Sequence, residues 1–217
     1  MRIIHRKFWL YGELSLFTLG VPLALWLLLP PRAILPVMWA MTLVCYLIIR
    51  AVTHASERVI WGASAVRWVN LKPVLLRFAL SAALLTAATW WLLPGSMFEF
   101  VRARPQLWAM VMVLYPLISV VPQEIIFRSY LFARFAPLLS PAMLVAVSGL
   151  GFGFAHIVFG NWVAPVLCAI GGVMFALTYQ KHRSLLLACI EHALYGNFVF
   201  TLGLGRYFYH GAVAAAH

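Results

Sequence analysis

The sequence predicts an all-α, polytopic transmembrane helix bundle of about seven to eight spans. Three observations predict it. The 217 residues are 65% hydrophobic and only 10% charged, which is more apolar surface than a water-soluble domain hides. The apolar residues come in runs close to the ~20 that a helix needs to cross a bilayer. The 16 Lys and Arg outnumber five acids, all Glu, for a formal charge of +11. These basic residues flank apolar runs and form no single long stripe. That pattern fits loops near anionic lipid and not a nucleic-acid surface. The bilayer is therefore the first expected partner, and nucleic acid is not one.

The elements follow in order. After Arg2, Arg6 and Lys7 the chain runs apolar from Phe8 to Pro30. The run is too long for a signal peptide's apolar core, contains Glu13 and ends in Pro30-Pro31-Arg32 without a cleavage site. It is expected to be an uncleaved first span. The second span is expected at about Ala33–Val52. Residues 53–72 are more polar, with Arg58, Arg67 and Lys72. Trp61 and Trp68, seven apart, suit one face of an interfacial helix lying on the membrane. The third span is expected at about Val74–Leu93. From Pro105 to Leu138 an apolar stretch is broken by Pro116 and Pro122, giving one long kinked helix or two short ones. Later spans are expected at about Pro141–Phe159, Val163–Tyr179 and Ser184–Leu204. Trp90-Trp91 and Tyr207–Tyr209 fit interfacial aromatic belts. If Pro105–Leu138 crosses once, the N-terminus, residues 53–72, the 134–140 turn and Lys181–Arg183 share one side. All are basic, so the charge pattern favours seven spans with that side cytoplasmic. The chain divides into N-terminal helices (1–104), a core (105–205) and a short tail (206–217). Cys45, Cys168 and Cys189 are odd in number, lack Cys-x-x-Cys spacing and fit small core residues.

Ionisable side chains inside a membrane are costly and by default mark a site. Four stand out: Glu124, Arg128, His156 and His192. Glu124 and Arg128 are four apart, so they share a helix face and can pair. The turn near Pro137–Ser140 joins the helices of Glu124 and His156. At ~1.5 Å per residue both lie about 20–24 Å from that turn, at similar depth in an antiparallel pair. His192 lies only about 13 Å up its own helix. Each has a purely structural reading: an intrahelical ion pair for Glu124 and Arg128, a satisfied core histidine for His156 or His192, a helix-face carboxylate for Glu191. Glu13, one turn into the first span, fits an interfacial position. The occurrence of all four in consecutive spans argues for a shared site. The absence of Asp excludes an aspartyl intramembrane protease and an Asp-rich diphosphate site. A His-Glu-x-x-His zinc motif is absent. Ala146-Val147-Ser148-Gly149 lacks the first Gly of a rhomboid-type Gly-x-Ser-Gly.

At these residues the chain resembles the CAAX protease and bacteriocin-processing family, also called the abortive-infection family. That family carries Glu-Glu-x-x-x-Arg, Phe-x-x-x-His and His-x-x-x-Asn or Asp on successive membrane helices. The first motif reads Gln123-Glu124-Ile125-Ile126-Phe127-Arg128, and the second, Phe152-Gly153-Phe154-Ala155-His156, matches fully. The third begins at His192, but position 196 is Gly and the Asn follows at Asn197. The resemblance covers about Pro105 to Gly205 and marks 105–205 as a protease-like membrane core. It implies hydrolysis of a peptide bond within the membrane, on a membrane-associated peptide or protein tail. Bacteriocin or leader-peptide processing and immunity are the settings it implies for a small bacterial-style chain, and the basic segments 53–72, 134–140 and Lys181–Arg183 set the expected active site open to the cytoplasm of a bacterial inner membrane. The first acid and the first His would activate water, the second His and the Asn would hold the oxyanion, and the Arg would brace the acidic motif.

Gln123 replaces the family's first Glu, and an amide accepts no proton at useful pH. Either the chain is catalytically dead or another carboxylate serves. Glu124 is expected as base with His156, with His192 and Asn197 as oxyanion donors and Arg128 bracing. Gln123 and Glu191 are expected as supporting, positioning groups, with Glu191 the other candidate base. No metal and no cofactor is expected, because Arg128 beside Glu124 opposes a cation; a zinc ion held by two His and a Glu is the alternative. The functional alternatives are a noncatalytic membrane peptide-binding member and a small proton-coupled transporter.

Overall fold

The computed structural model describes residues 2–52 and 61–208, with side chains from Lys7 to Ala51 and from Trp61 onward. Residues 53–60 of the expected interfacial segment and 209–217 of the expected tail lie outside the described residues. Among the described residues all regular structure is helical. Seven helices are long and apolar enough to cross a membrane. They are α1 (Lys7–Leu28), α2 (Pro31–Ala51), α3 (Trp68–Leu92), α4 (Pro105–Phe135), α5 (Pro141–Phe159), α6 (Val163–His182) and α7 (Leu185–Leu202). The chain is an all-α integral membrane bundle, and Pro105–Phe135 forms one continuous candidate span.

Sequence chemistry sets the helix limits. Ser140 and Ser184 cap α5 and α7, each hydroxyl accepting from the backbone N–H three residues on, Met143 and Leu187. The prolines that break the apolar run leave α4 continuous but remodelled. Pro116–Val120 and Ile125–Tyr130 are π-helical, with α-helix before, between and after them. A proline has no N–H to give the carbonyl four residues back. The Ile118 carbonyl, which Pro122 cannot serve, accepts instead from the Trp39 indole of α2 at 3.0 Å. The Pro122 carbonyl accepts from Thr42 at 3.4 Å. A neighbouring helix thus satisfies backbone that lipid could not.

α4 is the hub. Its Val120, Leu131 and Phe135 have no exposed surface, and its core continues into Phe152 of α5, Phe175 of α6 and Ala188 of α7. α3 is peripheral: only 6% of its apolar window is buried, against 39% for α5 and α7. Leu76, Leu80 and Leu84, four apart, form an outward apolar stripe on it.

The expected interfacial helix is corrected where it can be seen. Residues 68–72 are the start of α3, which begins at Trp68 and not near Val74. Between Trp61 and Trp68 there is only a 3₁₀ turn, Ala63–Ala65. The two tryptophans therefore do not share a helix face. Docking explains the difference: the Trp61 carbonyl accepts from the Leu186 N–H at 3.0 Å, and the Gly62 carbonyl from Ser184 Oγ at 2.9 Å. These bonds hold the segment against the start of α7, beside Lys181–Arg183. Glu13 is likewise more than interfacial. Its carboxylate accepts from Tyr130 Oη at 2.7 Å and from Arg134 Nε and Nη2 at 2.8 and 2.6 Å, tying α1 to the end of α4.

α5 and α6 approach through glycines. A Cβ on Gly153 would lie 2.6 Å from the Ala169 Cβ and 2.7 Å from the Pro165 carbonyl oxygen, and one on Gly172 would lie 2.9 Å from the Gly149 carbonyl oxygen. Small residues four apart let helix backbones close up in lipid. Gly153→Val is expected to force the pair apart, an overpacking cost of about 1–3 kcal/mol. It should lower the melting temperature in detergent. Gly12→Ala, where a Cβ meets nothing within 4 Å, should not.

Candidate active site

The site is built where α4 faces α6 and α7. Glu124 closes the short α-helical piece between the two π segments of α4, and Arg128 lies within the second. Neither has exposed surface, and His192 of α7 is 5% exposed. Glu124 Oε1 lies 2.9 Å from His192 Nδ1. A carboxylate only accepts, so Nδ1 carries the proton and donates it to Glu124. In the neutral ring Nε2 is then bare, and it lies 3.0 Å from the Tyr115 hydroxyl, which donates to it. Glu124 Oε2 lies 3.2 Å from Arg128 Nε, an ion pair without hydrogen-bond alignment.

Aromatic rings fix both partners. Arg128 Nη2 donates to the Gly172 carbonyl at 3.2 Å. The guanidinium stands 4.9 Å from the Phe152 ring centre and 5.7 Å from that of Phe175. His192 stacks on Phe175 at 4.7 Å with planes 17° apart, and meets Phe152 edge-on at 5.3 Å. Phe152, the first residue of the second motif, therefore packs against both Arg128 and His192.

His156 ends the α-helical part of α5 and opens a 3₁₀ turn. Its Nδ1 donates to the Phe152 carbonyl at 2.7 Å, and its ring meets that of Phe152 at 4.7 Å. It adjoins the Glu124 centre through Phe152. Gln123 donates to Ser119 Oγ at 2.8 Å, and its own oxygen is buried without a partner. Glu191, without exposed surface, accepts from Arg77 Nη2 of α3 at 2.8 Å, and the same nitrogen reaches Thr178 at 2.8 Å. Glu191 thus turns toward α3 while its neighbour His192 turns toward α4. Asn197 donates to the Met112 carbonyl at 3.2 Å. The structure therefore brings Glu124, Arg128 and His192 into direct contact, sets His156 beside them and points Glu191 and Asn197 elsewhere.

Two participants escaped the sequence reading. Arg77 was legible as a lone cation inside the apolar run of the third span. Tyr115 carried only a weak signal, a tyrosine immediately before the first proline break of α4.

Two clefts open on the flanks. One of about 490 Å³ is lined by Asn70, Arg77, Thr178 and Lys181 among others. A more apolar one of about 400 Å³ lies between Phe78 of α3 and the Ile190, Leu194, Asn197 and Thr201 face of α7. Neither is lined by Glu124, Arg128, His156 or His192. Among the described residues no three His, Cys, Asp or Glu side chains gather as a ligand set for a metal.

No curated protein and no solved structure matches the chain. Residues 104–198, which carry all three motifs and every member of the Glu124 centre, match the family model of the type II CAAX prenyl endopeptidase, Rce1-like, so this site-bearing segment, just under half of the chain, is similar to that peptidase family.

Proposed function

We propose that the chain is an intramembrane endopeptidase of the glutamic type, hydrolysing a peptide bond of a membrane-associated peptide or protein tail. The observation that carries this is the buried Glu124–His192 hydrogen bond, braced by Arg128, within the segment matched to a peptidase family. Glu124 fixes the His192 tautomer and stabilises the imidazolium when Nε2 takes a proton from water, as a carboxylate behind a histidine does in acyl transfer. Nε2 later gives that proton to the leaving amine. Arg128 pairs with the Glu124 carboxylate and aims it. His156, with Nδ1 held by the Phe152 carbonyl, keeps Nε2 as an acceptor that aligns water.

Zinc fits this donor set poorly. Both nitrogens of His192 are engaged, by Glu124 and Tyr115, and Arg128 places a cation at the carboxylate. No step is assigned to a metal. The setting we propose is a bacterial inner membrane, with the site reached from the cytoplasm. In support, the basic Lys181–Arg183 turn and Arg134 lie in or beside connections expected on one side.

A second reading, a noncatalytic peptide-binding member, is favoured by Gln123 and by the complete burial of Glu124. Co-expression with a short membrane-associated peptide, read by mass spectrometry, separates the two. Wild type is expected to yield two fragments. His156→Ala, at equal folded yield, should lower the rate by at least ~100-fold, the scale of a lost acid–base partner. A wild-type protein that retains the peptide uncut supports the second reading.

A further inference from the structure

We propose that Tyr115 is a further catalytic residue: its hydroxyl is the group through which His192 takes the proton of the attacking water. The proposal rests on the endopeptidase reading and assigns a new member to that site. Three observations carry it. First, the Tyr115 hydroxyl sits on His192 Nε2 at 3.0 Å, the nitrogen left bare because Nδ1 faces Glu124. The three side chains form one hydrogen-bonded line, carboxylate to imidazole to phenol. Second, of these three Tyr115 alone retains more than marginal surface, whereas Glu124 has none and His192 has 5%. The phenol ends the line on the side away from Glu124. Third, α7 has a glycine where that phenol lies. Gly196 stands one turn beyond His192, and a Cβ there would run into the Tyr115 ring and hydroxyl. The missing side chain makes the room. The ring is also fixed edge-on against Phe200 at 5.3 Å.

The step balances. Water oxygen bonds the scissile carbonyl carbon while one of its protons passes to the phenol oxygen. The phenol's own proton passes to His192 Nε2, and the carbonyl π pair moves to oxygen. In collapse that pair returns, the C–N bond breaks, and the proton travels back through the phenol to the departing nitrogen. Glu124 remains a carboxylate throughout, hydrogen-bonded to the imidazolium.

Tyr115→Phe keeps the ring and its packing and removes only the hydroxyl. Cleavage kinetics of the full chain in liposomes are expected to show kcat lowered about 100-fold with KM unchanged. Gly196→Ala, which displaces the phenol without removing a polar group, is expected to lower kcat as well, at a folded yield checked by gel filtration. Wild-type kcat in Tyr115→Phe, or a rise in KM alone, overturns the proposal and leaves the peptidase reading standing. Full kcat in Gly196→Ala also overturns it. A folded wild-type chain that cleaves nothing overturns the peptidase reading and this proposal with it.

Discussion

Arg128→Leu is expected to lose most of its folded yield and all cleavage. Arg128 has no exposed surface and serves two helices at once. Nε pairs with Glu124 on its own helix, and Nη2 donates to the Gly172 carbonyl of α6. Leucine fills part of the volume but leaves the Glu124 carboxylate buried beside one neutral imidazole. Removing one partner of a buried pair costs about 3–5 kcal/mol, a large share of the roughly 5–15 kcal/mol that holds a domain together. Arg128→Lys should rescue little, because a single ammonium cannot span both acceptors. Arg128→Met combined with Glu124→Gln removes both charges and should recover yield without recovering activity. Thermal unfolding in detergent and peptide cleavage, measured on the same preparations, read both quantities. Full yield and full activity in Arg128→Leu would reduce Arg128 to a bystander.

The larger effect on chemistry is expected from Glu124→Gln. The amide oxygen can still accept from His192 Nδ1, so shape and tautomer survive. What disappears is the negative charge beside the imidazolium, and an amide N–H group now points at Arg128. Losing the carboxylate behind a catalytic histidine costs about 10⁴-fold in kcat in the serine protease triad. A loss of at least ~10³-fold is expected for Glu124→Gln. Glu191→Gln should retain cleavage, because Glu191 engages Arg77 and Thr178 on the α3 side. Loss in Glu191→Gln alone would move the essential carboxylate from α4 to α7. Loss in neither would remove the glutamic mechanism from this chain.

Most of the architecture was legible because bilayer thickness converts run length into span count. The expected and observed spans agree to within a few residues, except at the start of α3. The misread interfacial helix shows why local spacing fails there. Trp61 and Trp68 carry a helical period, but the Trp61 and Gly62 carbonyls bond to α7 instead. In the site, the Glu124–Arg128 pair was legible from spacing alone. The Glu124–His192 contact was not. Counting from the turns set the two at different depths, and that count assumes regular, parallel helices, which the π segments of α4 are not. The position of Asn197 was legible in principle. Five residues beyond His192 is about 140° around a helix, away from the face where Gly196 lies.

The π segment at Pro116–Val120 has a consequence for chain length. Tyr115 and Glu124 are nine residues apart, which on a regular helix is about two and a half turns, and would set them on opposite sides. In α4 both touch one imidazole, Glu124 at Nδ1 and Tyr115 at Nε2. A π bulge acts as a single-residue insertion in a helix and resets the phase of everything after it. The alignment of these two groups is therefore held by how many residues lie between them more than by which residues they are. Apolar substitutions at the outward Leu117 and Ile118 that keep the bulge are absorbed by the surrounding lipid. Loss or gain of one residue there would swing Tyr115 about 100° relative to Glu124, with no change in hydropathy to betray it.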